Sequence, residues 1–125
     1  MSRYKSQGFN NTFKNARKGF NLALRSEINI RVHVIVATLV ILSALYLRFS
    51  VVEMCIVLFA IALVICCEML NTAIEFALDS IYHNRYSRMV GMAKDISAGA
   101  VMFATIISVC IGVILYGSKI WELLG

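Results

Sequence analysis

The chain reads as a basic, polar lead followed by three long apolar runs. In the lead, Phe9, Phe13, Ala16, Phe20 and Ala23 recur at steps of four, three, four and three, while Lys14, Arg17, Lys18 and Arg25 fall on other faces. That spacing predicts an amphipathic helix over about 8–28, suited to lying in a membrane surface or to packing on another subunit. The first apolar run predicts a spanning helix over about 32–49. Sixteen uncharged residues separate Arg31 from Arg48, slightly fewer than the ~17–25 that usually cross a bilayer. Tyr46 and the long side chain of Arg48 can extend the span by sitting at the interface. The last run predicts a spanning helix over about 94–118, with twenty-three uncharged residues from Ile96 to Ser118 and Trp121 as an interface anchor. Ala100, Ala104, Ser108 and Gly112 form a small-residue stripe along it. Such a stripe permits close helix approach and is expected to join subunits.

The middle run, a spanning helix over about 53–80, is apolar from Met54 to Cys67 and then meets Glu68, Asn71, Glu75 and Asp79. At ~100° per residue these four lie within roughly 80° of one another, so they form a polar stripe on one face. About twenty residues counted from Met54 put a membrane boundary near Ala73. Glu75 and Asp79 then sit at or just beyond it, with Glu68 roughly 8 Å deeper.

Composition agrees with a bilayer as solvent. Apolar residues make up 60% and the mean hydropathy is +0.79. A chain this short cannot hide so much apolar surface in its own core, which excludes an ordinary soluble domain and a disordered one. With no proline and no strand-like alternation, the spanning elements should be helices. The net charge of +5 is distributed unevenly. Arg3, Lys5, Lys14, Arg17, Lys18, Arg25 and Arg31 precede the first apolar run, and Arg85, Arg88 and Lys94 lie in the second break; Arg48 and Lys119 alone occupy the other two polar sites. This asymmetry predicts a cytoplasmic N-terminus and second loop, with the first loop and C-terminus outside. It argues against nucleic acid as the partner. The first apolar run begins too late for a secretory signal. Cys55, Cys66, Cys67 and Cys110 lie in apolar runs without metal-ligand spacing and read as small hydrophobes.

Five of the seven acids converge on the predicted inner face: Glu27, Glu68, Glu75, Asp79 and Asp95. Glu53 and Glu122 belong to the outer face, where a solvated charge is a sufficient explanation. A charge inside a membrane helix costs ~2.5–3.5 kcal/mol on insertion scales, so Glu68 calls for a reason. One reason is an ion-pair network in which Lys94, Arg25 or Arg31 satisfies the carboxylates between subunits. Another is chemistry: two carboxylates at a helix end suit a hard cation such as Mg²⁺, a deeper one can act as a general base, and Lys94 suits phosphate. Together these suggest phosphoryl transfer at a membrane surface, although no P-loop and no soluble-kinase catalytic loop is present. Alone, the residues establish a small three-span membrane protein with an acidic, metal-binding site on its cytoplasmic side.

The stretch Glu68-Met-Leu-Asn71-Thr-Ala-Ile-Glu75-Phe-Ala-Leu-Asp79, followed by Ala93-Lys94-Asp95-Ile-Ser-Ala-Gly-Ala-Val, resembles the signature of the small prokaryotic diacylglycerol kinase family. Upstream, Lys18-Gly19, Glu27 and Arg31 match its surface-helix pattern, and the segment Glu27-Ile-Asn-Ile-Arg-Val-His33 is similar to the Gram-positive branch, whose members act mainly as undecaprenol kinases. The resemblance covers nearly the whole chain, as a single domain over residues 1–125. It implies a homotrimer in the cell membrane that transfers the ATP γ-phosphate to a lipid alcohol with Mg²⁺ as cofactor. Undecaprenol is the favoured acceptor and diacylglycerol the alternative. By the same resemblance Glu68 is the proton acceptor, Asn71 orients the reacting groups, and Asp79 supports the site. Glu27 and Glu75 hold the metal and, with Lys94 and Asp95, bind the nucleotide; Glu68 and Ala98 meet the lipid. The chain departs from the family in the loop before Ala93, where Ser87 and Arg88 stand in place of a histidine and an acid, with His83 available in another register. Two other readings stand beside the kinase. One is a small proton-coupled transporter, whose key acid would lie near the bilayer midplane; the other is a structural membrane subunit without chemistry.

Overall fold

The computed structural model describes residues 8–83, 85 and 87–125. Arg3 and Lys5 of the basic lead and Asn84 of the second loop lie outside the described residues. The described chain forms α1 (Phe9–Ser26), α2 (Ile28–Tyr46), α3 (Val51–Tyr82) and α4 (Arg88–Leu124). The last three are long and apolar enough to cross a membrane.

Each boundary has a local cause. At the end of α1, Glu27 adopts an extended backbone (φ −126°, ψ 119°), which turns the chain before α2. Arg31, on the first turn of α2, reaches back and donates to the carbonyls of Leu24 (3.1 Å) and Arg25 (3.0 Å). Carbonyls at a helix C-terminus lack intrahelical partners and carry partial negative charge, so a guanidinium is well matched to them. The four-residue connection between α2 and α3 is closed by Leu47 N–H donating to Ser43 O at 2.9 Å, with Arg48 left-handed (φ 59°). A reciprocal cap then starts α3: Ser50 Oγ accepts from Glu53 N–H (3.2 Å), and Glu53 Oε1 accepts from Ser50 N–H (2.8 Å). At α4 the Ser87 hydroxyl accepts from Val90 N–H at 3.2 Å.

These caps shift the expected spans. α2 starts and stops earlier than 32–49, while α3 and α4 overrun 53–80 and 94–118 at both ends. The reason is that helices end at caps and turns, not where hydrophobicity fades. At 1.5 Å per residue, the 32 residues of α3 and 37 of α4 reach roughly 48 and 55 Å, against ~30 Å of hydrocarbon. The polar end of α3 therefore continues as helix beyond the apolar layer.

α3 packs chiefly on α4 and also on α2; α1 packs on α2 and touches α3. The buried seam of α3 runs Val57, Ala60, Val64, Glu68 and Thr72. It faces Ile30, Ala37 and Ala44 of α2 and Val90, Ser97 and Ala104 of α4, each set spaced by seven residues as in a coiled-coil seam. The larger side chains point outward: Phe59 and Phe103 are 74% and 67% exposed. Lipid tails are as apolar as leucine, so a membrane helix gains most from close backbone approach through small residues.

The small-residue stripe of α4 is engaged in part within the chain: Ala104 is buried and Ser108 Oγ donates to Ala60 O of α3 at 3.1 Å, with Ala100 left exposed. Glu53 is also more than a solvated charge. It caps α3 and pairs with Lys119 (3.1 Å), which pairs in turn with Glu122 (3.4 Å). Nearby, Phe49 and Tyr116 stack at 4.9 Å. Tyr116 Oη donates to Val40 O (2.9 Å) and contacts Ser43 Oγ (2.5 Å). These contacts fasten α4 to the α2–α3 hairpin at the end away from α1.

Candidate functional site

The polar stripe of α3 opens toward the end of the bundle that carries α1, and two other elements, α2 and α4, supply its partners. Glu68 comes first. It is 6% exposed, because it occupies the same seam as Val57, Ala60 and Val64. Its Oε1 lies 3.4 Å from Nε2 of His33 on α2. One turn nearer the helix end, Asn71 Nδ2 donates to Glu75 Oε1 at 3.0 Å. On its other side Asn71 Oδ1 accepts from Ser97 Oγ of α4 at 2.6 Å. A further turn along, Asp79 Oδ1 accepts from Lys94 Nζ at 2.6 Å, both side chains being a little over a third exposed. The site is thus a ladder of three rungs: Glu68–His33 at the deep end, Glu75–Asn71–Ser97 in the middle, Asp79–Lys94 at the rim.

The structure therefore draws together Glu68, Asn71, Glu75, Asp79 and Lys94 of the predicted residues. Others stand apart from the ladder. Glu27 is half-buried at the α1–α2 corner. Asp95 and Ala98 are exposed on α4. His83 closes α3 in a left-handed conformation (φ 51°), its N–H donating to Asp79 O. Within the chain Asp79 pairs with Lys94, and the guanidinium of Arg31 serves the carbonyls of α1.

His33 and Ser97 are the residues that sequence reasoning missed. Both lie inside the stretches that carry the family resemblance, yet nothing in their own spacing assigns a partner. Ser97 stands three residues beyond Lys94, one turn along the same face, which was the available signal. His33 had none, because its partner is on another helix.

Beside His33 an apolar cavity of about 370 Å³ runs between α2, α3 and α4, past Val36, Val40, Ala60, Val64 and Gly112 to Tyr116. His33 forms the end of it nearest Glu68. One imidazole thus stands between the apolar cavity and the buried carboxylate. Such a site can receive an amphiphile whose chain stays in the apolar layer while its polar head meets the acids.

For a metal, Glu27 and Glu75 offer hard oxygen donors from different elements. Among the described residues no group of three or more His, Cys, Asp and Glu forms a ready cage. Magnesium is commonly held by one or two carboxylates plus substrate phosphates, so Glu75, on the ladder, has the donor chemistry for an ion that arrives with a nucleotide, while Glu27 stands apart at the α1–α2 corner.

Fold and site together define a helical membrane protein with a buried carboxylate and a polar ladder at one end. The family profile described as prokaryotic diacylglycerol kinase matches residues 14–116, and the chain belongs to that family. It is 31% identical over 112 residues to the undecaprenol kinase of Bacillus subtilis, covering 90% of each chain. Against the diacylglycerol kinase of Escherichia coli it is 31% identical over 101 residues, 81% of this chain and 82% of the other. Against that of Synechocystis it is 32% identical over 101 residues; the match spans 81% of this chain and 58% of that longer relative. The family is one of lipid kinases, which sets the chain apart from the transporter and the inert subunit considered from sequence.

Proposed function

We propose that this protein transfers the γ-phosphate of ATP to the hydroxyl of a membrane lipid alcohol, undecaprenol in preference to diacylglycerol. The observation that carries the reading is the buried carboxylate of Glu68 at the junction of an apolar cavity and a polar ladder. A lipid alcohol bears its one reactive hydroxyl at the boundary between chain and headgroup, and a base at the same boundary can meet it. Glu68 takes the hydroxyl proton as the oxygen attacks phosphorus in line. Asn71 holds Glu75 and orients the reacting groups, and Ala98 borders the lipid. Lys94, steadied by Asp79, offers positive charge to the phosphates, with Asp95 beside it. Glu27 and Glu75 would hold Mg²⁺, which when bound neutralises charge on the phosphate oxygens. The preference for undecaprenol rests on the Glu27–His33 segment and on the Bacillus subtilis relative, which aligns over nine-tenths of both chains.

The chain works as an oligomer, a trimer by family resemblance, because three spans cannot keep so many carboxylates off lipid. α1 lies in the membrane surface, its phenylalanines in the acyl boundary and its lysines and arginines toward anionic headgroups. The N-terminus and second loop face the cytoplasm, where ATP is found, and the C-terminus faces outside.

The test is transfer of label from γ-labelled ATP into lipid by purified protein in bilayers with Mg²⁺, undecaprenol and diacylglycerol being offered side by side. Label is expected in undecaprenyl phosphate first. Glu68→Gln should lower turnover by about 10²–10⁴-fold with helicity and assembly unchanged. Near-normal turnover in Glu68→Gln would show that the base has been misassigned.

A further inference from the structure

His33 is the partner that the structure gives Glu68 among the described residues, and it comes from a different helix. Its Nε2 stands 3.4 Å from Glu68 Oε1, about 0.4–0.5 Å longer than an ordinary N–H···O bond. Catalytic hydrogen bonds are often long in unliganded enzymes and shorten when substrate arrives. The other polar groups of the ladder are engaged elsewhere: Asn71 with Glu75 and Ser97, Lys94 with Asp79. The imidazole is also the member of a largely apolar cavity wall that touches Glu68; on α2 the wall continues through Val32, Val36 and Ala37. His33 therefore touches both the cavity and the carboxylate.

We infer that His33 is a positioning residue for Glu68. Its Nε2–H donates to Oε1 and so turns Oε2 toward the lipid hydroxyl. This rests on the lipid-kinase reading and adds to it the group that orients the base. The proton balance is simple. The hydroxyl O–H breaks, its proton goes to Glu68 Oε2, and the oxygen forms the bond to phosphorus as the bond to the ADP oxygen breaks. The Nε2–H···Oε1 contact persists throughout, because Oε1 remains an acceptor when Oε2 is protonated. A side chain that merely filled space beside Glu68 could be replaced by another ring. One that orients by donation can be replaced only by another donor.

That difference supplies the experiment. His33→Phe keeps an aromatic ring and removes the donor; His33→Gln shortens the ring to an amide whose N–H₂ can still reach Glu68. The labelled-ATP assay is run on both in bilayers, beside wild type and Glu68→Gln, with turnover and the KM values for ATP and lipid measured separately. His33→Phe should lose about tenfold to a hundredfold in kcat, the range for a hydrogen bond to a charged group, with KM for ATP within about twofold of wild type. His33→Gln should recover most of that loss. Equal rates in Phe and wild type, or a Gln variant as slow as Phe, would overturn the inference. If Phe proves unfolded by circular dichroism, the Gln variant decides alone: near wild-type kcat sustains donation, and a collapse in kcat with intact helicity refutes it. Failure of wild type to label any lipid would instead bring down the kinase reading, and the role of His33 with it.

Discussion

Asn71→Asp isolates what holds the middle of the ladder, because it changes one atom group and almost no volume. In the native protein the Asn71 amide donates to Glu75 Oε1 (3.0 Å) and its oxygen accepts from Ser97 Oγ (2.6 Å). Aspartate keeps the acceptor for Ser97. It loses the donor to Glu75 and sets a second carboxylate one turn from the first. Loss of a hydrogen bond to a charged group costs ~1.5–3 kcal/mol. Two like charges ~4 Å apart repel by up to ~4 kcal/mol at an effective dielectric near 20, unless one takes up a proton. Asn71→Ala loses the bond to Glu75 and the bond from Ser97, but adds no repulsion. Aspartate should therefore be the more destabilising of the two by at least about 1 kcal/mol at neutral pH, although it is nearly isosteric with asparagine. Unfolding in detergent micelles, followed by far-ultraviolet circular dichroism for wild type, Asn71→Ala and Asn71→Asp, measures the difference. Acidification should narrow it, since the introduced carboxyl, once protonated, carries an O–H that can again donate to Glu75. An Asp variant as stable as the Ala variant at neutral pH would refute the account, because the two side chains would then not be sharing one part-buried contact.

Two further outcomes follow from the packing and the rim. Ala104→Leu should destabilise the fold by about 1–3 kcal/mol, since Ala104 is 3% exposed against α3, whereas Ala100→Leu on an exposed position of the same helix should be close to neutral; micellar unfolding midpoints compare them. Lys94→Met should raise KM for ATP about tenfold or more while leaving helicity intact, because it removes a cation worth ~1.5–3 kcal/mol to a phosphate contact, and initial rates against ATP concentration check this.

The architecture is legible in the sequence because a bilayer leaves few options. Apolar runs of sufficient length must be helices, and the polar positions of α3 fall on one face by helical geometry alone. Glu68, Asn71, Glu75 and Asp79 group together on sequence spacing, since they share one element and the i, i+3 and i, i+4 rule relates them directly. Helix ends are less legible. Ser50 with Glu53, and Ser87 with Val90, fix them through caps a few residues wide, which a reading of hydrophobic runs passes over.

Which helix faces which was for the tertiary structure to decide. The stripe Ala104–Ser108–Gly112 is equally suited to a partner chain and to α3 of the same chain; only the docking of α4 turns Ala104 and Ser108 to α3. For the same reason Lys94 found Asp79, Ser97 found Asn71, and His33 found Glu68. Periodicity determines the direction a side chain leaves its own helix. The group it meets depends on crossing angle, rotation and register between helices, which small residues and caps far along the chain set together.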